Sequence, residues 1–172
     1  MAETNEPWLR GTLMEVDPLR RGVLHALLLA REDVVRWSAG LTLEELEDRP
    51  FGLPSVGFQM RHMVRSLDRL LTYAEGRFLS EGQRTALAAE MEPAASREAL
   101  FAEFEGWMQF AEDRVMTFSQ ESYGEVRGVG RKRLPTTVGG LLVHCAEHTQ
   151  RHSGQMVTTA KVVVATARHV AS

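Results

Sequence analysis

Apolar residues recur every three or four positions along four long stretches of the chain, which is the spacing of amphipathic helices with one buried side. We predict helices from about Pro18 to Gly40, from about 56 to 75, from 97 to 118, and from about 138 into a Val-rich end. Each stretch follows a side chain suited to capping a first helical turn. These side chains are Asp17, Ser55, Ser96 and either Thr136 or Thr137.

The stripes of these helices form the predicted core. We assign Val35 to the buried side of the first helix, and Trp107 and Phe110 to that of the third, so that the third helix carries much of the aromatic volume. The other main members of the stripes are Val23, Leu24, Leu27, Val64, Leu67, Leu71, Leu100, Phe104, Met108, Leu141, Cys145 and Met156.

The connections are short or irregular. Thr42 and Glu45 have the spacing of a capping box for a short helical turn. Residues 77–95 form a long Ala-rich connection with room for a short helical piece, and Val126 and Val129 lie in a Gly-rich loop or small hairpin. The whole pattern predicts an all-α, antiparallel four-helix bundle with a long crossover, as a single domain over residues 1–172.

Charge and cysteine content exclude some classes of function. The net charge of −3 gives no reason to expect nucleic-acid binding, and we interpret the basic run Arg131, Lys132 and Arg133 as a solvated loop. A single cysteine, Cys145, excludes an intramolecular disulfide. With no recognisable signal peptide or membrane span, we expect a soluble cytoplasmic protein.

Three histidines of the last helix, His144, His148 and His152, recur at every fourth position and therefore lie on one side of it. Neighbours in this ladder are about 6 Å apart at Cα, whereas the outer two are about 12 Å apart. Two imidazoles one turn apart can share a metal ion at bond lengths of about 2.0–2.1 Å, but all three cannot do so without distortion. The ladder therefore offers one pair of metal ligands and one further histidine outside that pair, and the remaining ligands must come from other parts of the chain.

His62 lies outside the main apolar stripe of the second long helix. At about 100° per residue it falls on a second strip with Phe58, Ser66, Arg69 and Tyr73. In a bundle such a strip borders a cleft between helices or faces solvent, and periodicity alone does not choose between the two.

The segments GFQMRHMVRSLDRLLTYAEG and LPTTVGGLLVHCAEHTQRHSGQMV together resemble the DinB/YfiT-like superfamily, in its DinB-like branch. The resemblance covers nearly the whole chain, and the ending H-x-x-x-H-x-x-x-H-x-G-Q is its most specific part. It implies a four-helix bundle that holds a divalent metal, most often nickel or zinc, with His62, His148 and His152 as ligands. It gives His144 no usual ligand role.

Three neutral imidazoles leave an open coordination position for water or an anionic substrate atom. Ligating histidines also need an acceptor for the second ring nitrogen, and Glu147 and Gln155 are candidates for this outer role or for a pocket wall. His144, one turn from the pair, is a candidate pocket wall, proton-transfer group or fourth ligand.

Other readings of the same residues are weaker. His144 to His148 matches the H-x-x-E-H pattern of some metallopeptidases, but residues 148–172 contain no Asp or Glu to complete that site. No Glu stands three residues before a histidine, as a ferritin-like di-iron site requires. Cys145 points into the core, where a thiol is inert.

Two functional hypotheses remain. The first is a metal-dependent enzyme, a thiol-linked transferase or hydrolase that acts on a small molecule, with a low-molecular-weight thiol as a possible partner. The second is a non-catalytic metal-binding or stress-response protein with a structural metal. The family resemblance and the second apolar strip with Phe58 and Tyr73 also imply a homodimer.

Overall fold

A computed structural model describes residues 5–170 of the chain. Six helices lie in this part: α1 Pro18–Ser38, α2 Leu43–Glu47, α3 Val56–Ala74, α4 Glu81–Ala88, α5 Arg97–Thr117 and α6 Val138–Val170. Two short strands, β1 Val126–Val129 and β2 Leu134–Thr137, pair antiparallel between α5 and α6. Among residues 5–170, no helix is long and apolar enough to cross a membrane.

Capping side chains fix where the helices begin. The carboxylate of Asp17 accepts from the backbone N–H groups of Leu19 and Arg20 at the start of α1. Ser55 and Ser96 each accept from the third residue of the helix that follows. At α6 the hydroxyl of Thr137, one of the two predicted caps, accepts from the backbone N–H of Gly140 at 3.0 Å. These bonds satisfy N–H groups that have no partner inside the helix.

The four long helices pack in a closed ring, in which α6 contacts α1 and α3, and α5 contacts α3 and α1. Apolar side chains from all four fill the interior. The most deeply buried include Val23, Leu27, Met60, Met63, Leu67, Leu71, Leu100, Met108, Leu142, Cys145 and Met156. The prediction of an all-α bundle is confirmed.

The long crossover determines how the helices run. Two ion pairs join α3 to α5: Arg65 with Glu103 at 2.7 Å, and Glu75 with Arg114 at 2.7 Å. The later residue of α3 therefore pairs with the later residue of α5. These two helices are therefore parallel, and residues 75–96 carry the chain back between them, with α4 on the way. In contrast, α3 and α6 run antiparallel, since the hydroxyl of Thr159 donates to the Pro54 carbonyl at 3.1 Å while His62 lies beside His148.

Three predicted core residues are exposed, and their assignment was wrong. Val35 is 65% exposed on α1, and Trp107 and Phe110 are 37% and 48% exposed on α5. The buried side of α5 is a narrow stripe of Leu100, Phe104, Met108, Ala111 and Val115. Trp107 and Phe110 lie on its flank and pack edge to face on each other, with ring centroids 5.6 Å apart. A stripe drawn too wide from apolar character alone explains the error.

The Gly-rich stretch forms the hairpin alternative of the sequence analysis. Val129 pairs with Leu134, and a four-residue turn joins the strands, closed by the backbone N–H of Arg133 donating to the Gly130 carbonyl at 3.1 Å. The hairpin is fixed to the end of α3 by Arg127, whose Nε donates to the Ala74 carbonyl at 2.7 Å.

Candidate metal centre

Three histidines from two helices converge at the interface between α3 and α6. The ring centroid of His62 lies 4.3 Å from that of His152 and 5.1 Å from that of His148, and the rings of His148 and His152 are 4.4 Å apart. One ring nitrogen from each residue lies within 4.8 Å of the others. Helix α6 supplies the one-turn pair, and α3 supplies the remote third member.

The donor set suits a divalent metal of intermediate softness, such as zinc or nickel. A tetrahedral ion with bonds of about 2.0–2.1 Å holds its ligand atoms about 3.3 Å apart. The three ring nitrogens lie within 4.8 Å of one another, so a modest rotation of the imidazoles would bring them to this spacing. The three residues therefore fit a metal ion, and no carboxylate belongs to the cluster in the described part of the chain.

Two of these imidazoles have a hydrogen-bond partner for Nδ1. Nδ1 of His62 lies 2.7 Å from Oε2 of Glu90, and Nδ1 of His152 lies 2.7 Å from Oε1 of Gln59. Gln59 is oriented in turn by its own amide N–H group, which donates to Oε1 of Gln155 at 3.3 Å. With the proton on Nδ1, each ring keeps the lone pair of Nε2 for a metal.

Glu90 is buried and charged. It is 5% exposed, and its second oxygen, Oε1, accepts from Arg69 at 2.5 Å. Burial acts to raise the pKa of Glu90, but the hydrogen bonds with His62 and Arg69 outweigh it and hold the pKa below its usual value. A fixed anion behind His62 orients the ring and makes Nε2 a better donor to a cation.

Burial also keeps the histidine pair neutral. Burial, followed by electrostatic repulsion from His152 and His62, lowers the pKa of His148 to about 3. Burial, followed by electrostatic repulsion from His62 and Arg151, lowers the pKa of His152 to about 4. Both side chains therefore present free lone pairs at neutral pH.

His144 lies beside the cluster but outside it. Its ring centroid is 5.4 Å from that of His148, and its Nδ1 lies 2.6 Å from Oε1 of Glu147. Glu147 thus hydrogen-bonds His144 rather than a member of the cluster, and it also lies 3.5 Å from Arg151. Gln155 accepts from Gln59 at 3.3 Å, and its hydrogen bond with His152 acts to raise the pKa of that histidine against the larger effect of burial.

Sequence reasoning missed Glu90 and Gln59. Glu90 lies in the crossover, where no periodicity assigns a side chain to a face. Gln59 carried a usable signal, because it stands three residues before His62 and so shares its side of α3. Phe58, on the same turn, stacks on the ring of His62 with centroids 5.4 Å apart and helps to bury it.

A cavity of about 350 Å³ lies beside Gln59, and none of the three histidines lines it. Gln59 joins the two features, because it lines the cavity and contacts His152. The other lining residues are Leu53, Pro54, Arg151, Gly154, Gln155, Thr158 and Thr159. Apolar walls with a few polar groups are typical of a small-molecule site.

Cys145 is not a candidate for chemistry. It is fully buried, and burial raises the pKa of its thiol to about 12. Its predicted role in core packing is therefore confirmed.

Comparison with known proteins identifies the family. The model of the DinB superfamily matches residues 26–156, a range that contains all three converging histidines. The chain belongs to the DinB superfamily. A crystal structure described as the conserved protein of locus from Enterococcus faecalis is similar to this DinB protein in fold, with a TM-score of 0.69, 20% sequence identity, and coverage of 83% of this chain and 95% of that one. No curated protein matches its sequence.

Proposed function

We propose that this DinB protein binds one divalent metal ion, nickel or zinc, through His62, His148 and His152, and that the site serves a thiol-linked transfer or a hydrolysis of a small molecule. The observation that carries the proposal is the convergence of three ring nitrogens within 4.8 Å from two different helices. The buried acceptors Glu90 and Gln59 support it, because ligating histidines need such partners and a chance cluster does not.

An open coordination position supports the catalytic form of the proposal. Among the described residues the cluster consists of three histidines, and His144 is engaged with Glu147 instead. A divalent ion with three neutral ligands acts as a Lewis acid that lowers the pKa of a thiol or a water molecule. A closed structural site would have four protein ligands.

The chain's own residues supply positioning and selectivity. Glu90 and Gln59 hold the rings of His62 and His152 in the ligating tautomer. The cavity beside Gln59 receives the substrate, and Arg151 on its wall offers a positive charge to an anionic group. His144, beside His148 and paired with Glu147, is placed to accept or return a proton.

The second candidate is a metal that ties helices together without catalysis. It is favoured by the position of the cluster, which links α3 to α6 at one of the main contacts of the bundle. A metal that binds only the folded state stabilises it in proportion to the logarithm of metal concentration. In this form, loss of metal lowers the melting temperature strongly and affects no reaction.

Elemental analysis of protein purified without an affinity tag, followed by a screen of low-molecular-weight thiols, tests both candidates. We expect about one nickel or zinc ion per chain and a change in the metal's absorption or X-ray spectrum when one thiol binds. Metal at one equivalent with no response to any thiol or hydrolysable substrate favours the structural candidate. Absence of bound metal after supplementation with both ions defeats both.

A further inference from the structure

The turn that joins β1 and β2 lines a second cavity, and none of the three clustered histidines is among its lining residues. This cavity has a volume of about 710 Å³, within the range of small-molecule sites. Arginines line it from two separate elements: Arg84 from α4, and Arg131 and Arg133 from the turn. The basic run is therefore part of a concave surface and is not only a solvated loop.

The positive charge in this cavity is uncompensated. Arg84 donates to the carbonyl of Leu79 at 2.6 Å, and neither it nor Arg131 or Arg133 forms an ion pair with a carboxylate of residues 5–170. Most other arginines among residues 5–167 do form such pairs: Arg10, Arg20, Arg31, Arg61, Arg65, Arg69, Arg77, Arg114, Arg127 and Arg151. The local excess of positive charge stands out in a chain of net charge −3.

Arg133 is held in place at a conformational cost. Its φ of +47° lies in the left-handed region, which is unfavourable for a residue with a side chain. Its side chain packs against Gly128, where an added Cβ would lie 3.0 Å from Cβ of Arg133. The guanidinium then lies 5.6 Å from the centre of the Phe78 ring. Strain of this kind persists where the surrounding structure fixes one orientation.

The cavity also offers apolar and aromatic surface. Phe78 is 76% exposed and Leu87 is 45% exposed, and Tyr73 of α3 forms part of the same wall. A flat ring stacks favourably on Phe78 and on guanidinium planes. Guanidinium groups also bind phosphate oxygens in bidentate fashion, and three of them match a multiply charged anion better than a single carboxylate.

We propose that this cavity binds a small phosphorylated compound that carries a planar ring, with Arg84, Arg131 and Arg133 on the phosphates and Phe78 on the ring. A small ligand fits better than a nucleic acid, because the positive charge is confined to one cavity on an acidic protein. The site is separate from the histidine cluster and does not depend on the function proposed for it.

Calorimetric titration of the chelator-treated full chain with ADP, adenosine and pyrophosphate tests the proposal. We expect ADP to bind once per chain with Kd of about 0.1 mM or lower, and adenosine and pyrophosphate to bind at least about tenfold more weakly. Equal affinity for ADP and pyrophosphate would overturn recognition of the ring. No binding of ADP at about 1 mM would overturn the site.

Matched variants locate the binding. Arg131→Gln and Arg133→Gln should each weaken ADP binding about tenfold, whereas Arg21→Gln on α1 should not change it. Because Arg131 lies on an exposed turn, its variant should keep the wild-type melting temperature. Phe78→Ala should weaken ADP but leave pyrophosphate unchanged. An Arg131 variant that binds ADP like the Arg21 variant would refute the assignment.

Two further controls test whether ADP binds at a different site or whether the cavity belongs to a nucleic-acid surface. His152→Ala should bind ADP as the wild type does, and loss of ADP binding in that variant would place the nucleotide at the histidines instead. Single-stranded oligonucleotides should bind no more tightly as they lengthen. Affinity that increases with length would replace the small-ligand proposal with a nucleic-acid surface.

Discussion

Oε2 of Glu90 lies 2.7 Å from Nδ1 of His62, so a carboxylate of the crossover fixes a histidine of the bundle. The same carboxylate accepts from Arg69, which lies about two helical turns after His62 on α3. This arrangement makes Glu90 an outer partner of the candidate metal site, although the residue belongs to none of the four long helices.

Glu90→Gln should weaken metal binding by about tenfold to a hundredfold, because the neutral amide polarises His62 less than the carboxylate does. The measurement is competition for zinc with a chelator of known affinity. Glu147→Gln is the matched control, since Glu147 contacts His144 and should leave metal affinity unchanged. Equal zinc affinity in the Glu90 variant and the wild type would contradict a role for Glu90 in supporting His62 as a ligand.

Replacement of each proposed ligand should separate ligands from neighbours. His62→Ala, His148→Ala and His152→Ala should each lose most of the bound metal, because each removes one of three donors. His144→Ala should keep its metal content and melting temperature while any turnover falls. Metal analysis and thermal melts of the four variants are the test. A His144 variant that loses metal as readily as the His148 variant would contradict the open site.

The buried ion pair of Arg61 and Glu47 should contribute strongly to stability. Arg61 is 2% exposed, and its two terminal nitrogens lie 2.5 and 3.0 Å from the carboxylate oxygens of Glu47. Arg61→Met should cost about 3–5 kcal/mol of unfolding free energy, because it leaves a partly buried carboxylate unpaired. Urea denaturation measures this cost. Arg65→Met, which breaks a more exposed pair with Glu103, should cost about 1 kcal/mol or less.

The ion pair of Arg61 and Glu47 should also make the free energy of unfolding depend on pH. Burial acts to raise the pKa of Glu47, but hydrogen bonds from Arg61 and the backbone N–H of Ala94 hold it below its ordinary 4.5. A carboxyl group with a lowered folded-state pKa stabilises the protein above pH 4.5, and this contribution is lost as pH falls through the folded pKa. The stability difference between wild type and Glu47→Gln should therefore shrink below pH 4.5. A constant difference in denaturation between pH 7 and about 3 would contradict this.

A homodimer remains our prediction for the assembly. Phe58 keeps part of its surface exposed on α3 and a second copy would cover it, whereas Tyr73, the other member of the predicted apolar strip, lines the second cavity. Light scattering at micromolar concentration is the measurement. A mass of one chain across that range would contradict the prediction.

Local signals were sufficient to predict much of the bundle. The caps Asp17, Ser55 and Ser96 and the apolar stripes located the long helices, because these signals depend on residues one to four positions apart. The spacing of His144, His148 and His152 predicted a one-turn pair of ligands in the same way, and the family resemblance identified that pair as His148 and His152. The ligand role of His62 came from family resemblance, since its strip on α3 was open to either a cleft or solvent.

Contacts between distant segments explain what the sequence did not reveal. Glu90 is 28 residues from His62, and Gln59 is 93 residues from His152, so their pairing depends on how the helices are arranged. The parallel course of α3 and α5 likewise follows from the path of the crossover and not from any pattern within a helix. Trp107 and Phe110 were misplaced because apolar character does not reveal which flank lacks a neighbour.

The crossover has a consequence for how metal affinity is controlled. Because Glu90 is carried by a segment outside the long helices, displacement of that segment would withdraw the carboxylate from His62 while every ligand stayed in place. By thermodynamic reciprocity, metal that favours the docked carboxylate also favours the docked segment. Amide hydrogen exchange in residues 89–92 should therefore slow when zinc is added. The bound metal and the position of this segment would then control each other.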